Sequence, residues 1–406
     1  MLVQLNRFQT LLALAVFALA SIFLASTVLS SSAEAKVRKG PAGVKFYKPP
    51  KKTPKQHGRM IWVRKSTGAV PLASAAWTRN VLYTSKTPLG KRAVVSGSIS
   101  VPKGKAPRGG WPIITYGHGT TGIADQCAPS RNKKNGPADN AVNYTDNEQN
   151  AWLKAGYAVA RSDYQGLGTP GIHPFLIGKA SGRSVLDIVR AAHDLNTKFS
   201  KRYLIAGHSQ GGHAALFAAG EAAKWIPELK LRGTLAYAPA SHMKEQAGFL
   251  PNLTTPSSLT ALAAMIVKGA TVVTKDIKPA ELLSDSVLGL YPQTGTRCLE
   301  QLAKPNSLGG IAPSALIREG ADTGPLFDLL AEQNPAVKTA APVMVAQGDA
   351  DVTTFKILTD PLISELTALG TKVDYRVYEG AAHFDILDVA KADAIEFFQK
   401  RLPSGR

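Results

Sequence analysis

The sequence has little of what marks several protein classes. Only 2 of its 406 residues are cysteine, which excludes a disulfide-dense miniature scaffold. Only one apolar run, residues 11–29, is long enough to cross a bilayer, which excludes a multi-span membrane protein. With 44% hydrophobic and 19% charged residues, the chain is neither disordered nor a coiled coil. We therefore expect one large buried core.

Acidic residues are missing from one long stretch. Residues 36–108 contain 18 lysines and arginines and no acid, which accounts for almost all of the net charge of +19. No zinc-finger, RNP or helix-turn-helix pattern accompanies this charge, so nucleic acid is not a predicted partner. Residues 36–65 are also rich in lysine, proline and glycine. They predict an extended basic arm that contacts an anionic cell-envelope surface, the alternative being a solubilising tail.

The first 35 residues are typical of a secretory signal peptide. Arg7 precedes the apolar run, and residues 33–35 supply the small side chains that a cleavage site before Lys36 requires. The alternative is an uncleaved membrane anchor, since the run can just span a bilayer. In either case we expect a secreted or cell-envelope location.

Export affects the state of the two cysteines. Outside the cytoplasm, Cys127 and Cys298 can oxidise to a disulfide, which we favour over two buried free thiols.

Strand-like and helix-like patterns alternate through the body of the chain. This alternation predicts an α/β fold with a mostly parallel sheet covered by helices on both faces. This alternation is interrupted at residues 241–338. The segment is too long for a loop and indicates an inserted, mainly helical cap. The predicted core therefore has two parts, residues 66–240 and residues 339–406.

The strongest motif, residues 207–211, reads Gly-His-Ser-Gln-Gly. It lies between an apolar strand and an alanine-rich helix, which is the context of a nucleophile elbow. The sharp turn exposes Ser209, and the helix amino terminus stabilises negative charge that develops nearby. Ser209 is therefore the predicted nucleophile.

A serine hydroxyl needs a base, and the base needs an orienting acid. In this architecture the acid and then the histidine follow the serine along the chain, each after a strand. Asp351 is the expected acid, with Asp349 as the alternative, and His383 is the expected base. The aspartate that is not used is expected to cap the helix that begins near Thr354.

An oxyanion hole requires two amides directed at the reacting carbonyl oxygen. One is predicted to be the amide of Gln210, which follows the nucleophile. The other is expected in the loop after an early strand, from Thr120 or Gly119, while His118 holds that loop by hydrogen bonds. A glycine-rich segment, residues 163–171, is expected to form a rigid rim of the pocket. It is not expected to bind phosphate, because no helix with Lys-Ser or Lys-Thr follows it.

Four segments together resemble the secretory lipase family of the α/β-hydrolases. The resemblance rests on residues 117–122, 127–130, 163–168 and 207–211. It runs from about Phe46 to the carboxyl terminus. It implies a capped α/β-hydrolase that uses Ser209, Asp351 and His383 to hydrolyse carboxylic esters.

The expected substrate is a small-molecule or lipid ester, including triacylglycerols, because the apolar cap residues 259–273 indicate an acyl pocket or lid; ordinary cap packing is the alternative. No metal-ligand spacing is present, and no cofactor is predicted. Two other functions stay open. One is a peptidase or acyltransferase with the same triad, and the other is a non-catalytic envelope-binding protein. The sequence does not predict an oligomeric state.

Overall fold

The computed structural model describes residues 37–405. The predicted signal peptide, residues 1–35, lies outside the described residues. Within residues 37–405, no helix is long and apolar enough to cross a membrane.

A single sheet of ten strands organises the described part of the chain, in the order β1-β2-β3-β4-β6-β5-β7-β8-β9-β10. The strands are β1 (Arg38–Lys39), β2 (Met60–Lys65), β3 (Ala75–Lys86), β4 (Arg92–Pro102), β5 (Trp111–Gly117), β6 (Ala158–Ser162), β7 (Phe199–His208), β8 (Lys230–Tyr237), β9 (Val343–Gly348) and β10 (Val373–Tyr378). The six neighbouring strands β6, β5, β7, β8, β9 and β10 pair in parallel. Strands β2, β3 and β4 pair antiparallel. The predicted mostly parallel sheet is confirmed.

Helices follow most of the parallel strands. Those of the core are α1 (Asp139–Asn143), α2 (Asp146–Lys154), α3 (Gly178–Ala192), α4 (Gln210–Trp225), α11 (Lys356–Ala368), α12 (Ile386–Val389) and α13 (Lys391–Arg401). Those between β8 and β9 are α5 (Met243–Phe249), α6 (Ser258–Ala270), α7 (Pro279–Leu282), α8 (Asp285–Leu290), α9 (Leu299–Leu302) and α10 (Gly324–Glu332).

Alternate side chains of the central strands pack on opposite faces of the sheet. On β7, Tyr203 and Ile205 pack against α3 and α4, whereas Leu204 and Ala206 pack against α2 and α13. Both faces are covered, which is why these strands are continuous apolar runs in the sequence. The carboxyl ends of the parallel strands β5, β7, β8 and β9 lie at one edge of the sheet, where sites form in such sheets.

The amino-terminal segment differs from the expected extended arm without a core of its own. Phe46 and Tyr47 are buried, and β2 pairs antiparallel with β3. The buried carboxylate of Asp187 also holds His57, whose Nδ1 lies 2.6 Å from it. The aromatic and aliphatic side chains of residues 46–63 supply apolar surface that the lysine- and proline-rich composition conceals, and its burial stabilises the folded segment.

The segment between β8 and β9 forms a helical layer with its own apolar cluster. Buried side chains of α6, α8 and α10 pack together, including Met265, Val287 and Leu330. Helix α6 is apolar around most of its circumference, since it faces this cluster on one side and a cavity on the other. It therefore differs from an ordinary surface helix, which has one polar face.

Glu148 on α2 gives the fold a pH dependence. It is 2% exposed and accepts hydrogen bonds from the Tyr237 hydroxyl (2.6 Å) and the Trp152 indole (2.9 Å). Burial raises the pKa of Glu148 to about 7. Because this pKa lies above the unfolded-state value, the contribution of Glu148 to stability is complete below about pH 4.5 and is lost as the pH rises through about 7.

We therefore expect Glu148→Gln, which cannot ionise, to gain stability relative to the wild type as the pH rises. The difference in free energy of unfolding should change by roughly 3 kcal/mol between pH 4.5 and 8 in urea titrations. Glu245→Gln, at an exposed position, is the control and should show no such change. If the difference in free energy of unfolding from the wild type were independent of pH for both variants, the raised pKa of Glu148 would be refuted.

Candidate active site

The turn between β7 and α4 presents Ser209. Its backbone has φ 59° and ψ −119°, which non-glycine residues rarely adopt. The Ser209 amide donates to the Tyr237 carbonyl at 2.9 Å, and its carbonyl accepts from the amides of His213 and Ala240. These bonds hold the strained turn in place.

The glycines of the motif are required by close backbone contacts. A Cβ on Gly211 would lie 1.8 Å from the carbonyl oxygen of Gly117, and one on Gly207 would lie 2.0 Å from that of Gly211. A side chain at Gly211 would therefore separate the elbow from the end of β5, and one at Gly207 would separate β7 from the first turn of α4.

Asp351 and His383 contact each other at the ends of β9 and β10. His383 Nδ1 lies 2.7 Å from Asp351 Oδ2, and both side chains are buried. The other Asp351 oxygen accepts from the amides of Thr353 (2.8 Å) and Thr354 (2.9 Å). Burial would raise the pKa of Asp351, but the contact with His383 and these amides more than offset it and lower the pKa. The carboxylate thus stays charged at neutral pH.

Asp349 lies apart from this pair. It is exposed and accepts the Gly380 amide at 2.7 Å. The expectation that the second aspartate caps the next helix is wrong. Asp351 itself binds the amides that precede α11, because its two oxygens have enough acceptor capacity for the histidine and the turn.

His208 connects the elbow to the turn that carries His383. The His208 ring lies 4.6 Å from the His383 ring, centroid to centroid, and its Nε2 lies 2.8 Å from the His383 carbonyl oxygen. The structure therefore brings Ser209, Asp351 and His383 to adjoining turns at one edge of the sheet.

The loop after β5 contains the predicted oxyanion donors. Thr120 lines a cavity together with Ser209 and Gln210. Gly119 instead packs against Tyr144, whose hydroxyl oxygen would lie 2.3 Å from a Cβ at this position. Of the two alternatives left by the sequence, Thr120 lines the cavity and Gly119 does not.

The segment after β6 braces this loop. The Tyr164 hydroxyl donates to the His118 carbonyl at 2.8 Å, and His118 Nδ1 lies 2.6 Å from the Gly119 carbonyl oxygen. Burial lowers the pKa of His118 to about 4, so its ring is neutral. The expected structural role of His118 fits these contacts.

Asp163 anchors the same segment to the rest of the core. Its carboxylate is fully buried and accepts from Ser96 Oγ (2.6 Å), the Ser130 amide (2.8 Å) and the Ser130 hydroxyl. Burial raises the pKa of Asp163, an effect that these donors and Arg161 oppose. One carboxylate thereby joins β4, the end of β6 and the turn after Cys127.

A cavity of about 370 Å³ opens beside Ser209. Residues of α5, α6 and α10 contribute to its wall, and these include Met243, Leu262 and Phe327. Every lining residue in the described part of the chain is uncharged. Such a wall suits an apolar ligand that has one polar group near Ser209.

Cys127 and Cys298 form a disulfide that joins the loop after β5 to α9. The Leu299 amide also donates to the Thr121 carbonyl at 3.0 Å. Closing a loop of 171 residues stabilises the fold by roughly 2–5 kcal/mol. The helical segment is thus attached directly to the loop that contains Thr120.

Tyr144 and Thr354 were not identified from the sequence. Thr354 Oγ1 lies 2.9 Å from Asp351 and 3.3 Å from His383 Nδ1. Tyr144 contacts His208 Nδ1 at 2.7 Å. Neither belongs to a recognisable motif, because their positions depend on turns whose geometry the local sequence does not specify. Within the described residues, no cluster of histidine, cysteine or acidic side chains could hold a metal ion.

Residues 141–278 match the model of the family described as secretory lipase. This segment includes the elbow and the first helices of the insertion, and the match confirms the resemblance predicted from the sequence. The chain is a carboxylic ester hydrolase of the lipase and esterase type. No curated protein matches it in sequence.

Two solved structures share the fold of this hydrolase. Candida antarctica lipase A in its closed state aligns with a TM-score of 0.71 at 18% identity, over 86% of this chain and 83% of its own. The rice cell wall degrading esterase LipA from Xanthomonas oryzae aligns with a TM-score of 0.68 at 18% identity, over 85% of this chain and 98% of its own. The predicted α/β-hydrolase fold is confirmed.

Removing the charge of Asp163 should destabilise the hydrolase. In Asp163→Asn, the amide nitrogen cannot accept from the two serine hydroxyls, so we expect the free energy of unfolding to fall by about 2 kcal/mol. Asp125→Asn is the matched control, since Asp125 is largely exposed and its charge partner is 3.6 Å away. Urea titration of both variants measures the effect, and equal stabilities would contradict it.

Proposed function

We propose that this hydrolase cleaves esters through an acyl-enzyme on Ser209, with His383 as base and Asp351 as orienting acid. The main support is the geometry around one edge of the sheet. A strained, partly exposed serine opens into an uncharged cavity, and the adjoining turn carries a buried histidine–aspartate pair.

The reaction follows from the chemistry of these groups. His383 accepts the Ser209 proton as the serine oxygen attacks the ester carbonyl, and Asp351 stabilises the resulting imidazolium. The imidazolium then protonates the departing alcohol. Water attacks the acyl-enzyme with His383 again as base, which releases the acid and restores the serine.

The amides of Gln210 and Thr120 would stabilise the tetrahedral intermediate. Gln210 is the first residue of α4, where amides have no acceptor within the helix and where the helix dipole favours negative charge. A single such donor contributes roughly 3–4 kcal/mol to the transition state. The assignment of Thr120 rests on its place in the cavity wall beside Ser209.

The proposed substrate is an ester of an apolar acyl chain, such as an acylglycerol. A charged acyl group finds no oppositely charged partner on the cavity wall, whereas burial of each methylene group of an apolar chain contributes about 0.8 kcal/mol. An acyl chain that extends under α6 from the ester at Ser209 satisfies both conditions.

We also propose that the hydrolase is exported. The disulfide between Cys127 and Cys298 is a feature of oxidising compartments, and the match to secretory lipases agrees with it. The lysines of residues 45–55 are exposed on the folded amino-terminal segment. Their positive charge favours contact with anionic polymers or lipids of the envelope.

Substitutions in the proposed triad test the mechanism with p-nitrophenyl esters. Ser209→Ala should lower kcat by at least about 10³-fold, and Asp351→Asn by about 10³- to 10⁴-fold, since the histidine loses its orienting partner. Asp349→Asn, two residues away, is the control and should change kcat by less than about 3-fold, the effect of one exposed hydrogen bond. Undiminished hydrolysis by Ser209→Ala would exclude the proposed nucleophile.

Narrowing the cavity tests the substrate class. We expect Ala263→Phe on α6 to lower kcat/KM for long-chain p-nitrophenyl esters by about 10- to 100-fold, because several methylenes lose their buried site. Acetate ester hydrolysis should change little. Ala331→Phe, at an exposed position of α10, is the control. Equal losses on short and long esters would place the acyl chain elsewhere. Amides with the same acyl groups, if cleaved as fast as the esters, would favour a peptidase instead.

A further inference from the structure

Hydrogen bonds connect Tyr144, which packs against the loop after β5, with the turn that carries His383. The Tyr144 hydroxyl lies against Gly119 and is 2.7 Å from His208 Nδ1. On the other side of the ring, His208 Nε2 lies 2.8 Å from the His383 carbonyl oxygen. The proposed mechanism assigns no role to Tyr144 or His208.

Chemistry fixes the direction of these hydrogen bonds. A carbonyl oxygen only accepts, so the proton of the His208 ring must be on Nε2. Burial lowers the pKa of His208 to about 3, which keeps the ring neutral and leaves a lone pair on Nδ1. The Tyr144 hydroxyl must therefore donate to Nδ1.

These bonds fix the main chain at His383, whereas Asp351 fixes its imidazole. Phe384 adds packing, since its ring lies 5.1 Å from that of Tyr144 and 5.9 Å from that of His208. The backbone and the side chain of the histidine are thus held independently.

We propose that Tyr144 and His208 are positioning residues that hold the turn of His383 against the turn of Ser209. The inference rests on the proposed function, in which His383 is the base.

The neutral state of His208 is part of this role. The groups that face its ring are the Tyr144 hydroxyl, the His383 imidazole and the Asp351 carboxylate. When His383 becomes an imidazolium during acylation, a second positive charge on His208 would oppose it. By donating to Nδ1, Tyr144 occupies the position that a further proton would take.

Tyr144→Phe removes this donor and leaves the ring packing in place. We expect kcat to fall by about 3- to 10-fold with little change in KM. Tyr157→Phe is the matched control, since that buried hydroxyl donates to the Leu402 carbonyl at 2.8 Å. Unchanged kcat in Tyr144→Phe, or an equal loss of kcat in Tyr157→Phe, would overturn the proposal.

Two substitutions of His208 separate hydrogen bonding from titration. The amide of His208→Gln offers one acceptor and one donor and cannot ionise, so we expect kcat within about 5-fold of wild type and a pH-independent ratio. His208→Leu offers neither, and we expect a loss of roughly 10²-fold. Thermal unfolding identifies folded variants. A folded Leu variant with wild-type kcat, or folded Gln and Leu variants with equal losses, would contradict the positioning role.

A measurement that does not depend on activity completes the test. In ¹⁵N-histidine-labelled Ser209→Ala protein, NMR should show His208 as the neutral Nε2–H tautomer from pH 5 to 8. The Nδ1–H tautomer or an imidazolium would overturn the proposal whatever the kinetics show. Ester hydrolysis retained by Ser209→Ala would instead refute the proposed function, and the tautomer would be unaffected.

Discussion

The backbone of Ser209 is the constraint on which the site depends. A residue in such a conformation costs about 1–3 kcal/mol and persists only when its surroundings hold it. Here the end of β8 binds its amide, and the first turn of α4 binds its carbonyl. The turn also needs β5 to approach within the space left by Gly211. Ser209 can therefore adopt this conformation only when the sheet, α4 and the loop after β5 are all correctly packed together.

Three buried histidines around the site carry no charge. Desolvation lowers the pKa values of His118 and His173 to about 4 and that of His208 to about 3, so all three are neutral. Each uses a ring N–H on a main-chain carbonyl, at Gly119, Gln165 and His383 respectively. These rings therefore act as uncharged braces for three loops. His383 differs from these three rings, because its Nδ1 contacts a carboxylate, that of Asp351.

The sequence predicted the parts of the site that have local signatures. The elbow shows as glycines flanking Ser209 between a strand and a helix, and Asp351 and His383 follow apolar strands in the expected order. Tyr144 left no signature, because it reaches His208 from a turn between two short helices and 64 residues away. The folding of residues 37–65 onto the sheet was also missed. Its lysines and prolines dominate the composition, whereas Phe46 and residues 60–63 determine the packing.

The attachment of the insertion limits how substrate can reach Ser209. The disulfide at Cys298 and the bond from Leu299 to Thr121 fix the insertion to the loop that contains Thr120. A movement of the whole insertion would pull this loop away from Ser209 and displace the proposed oxyanion donor. We therefore expect the proposed acyl chain to enter on the side of α5, where Phe249 is 60% exposed and its neighbours line the cavity. The disulfide that stabilises the fold would thus also keep the proposed oxyanion donor beside Ser209 when the substrate enters.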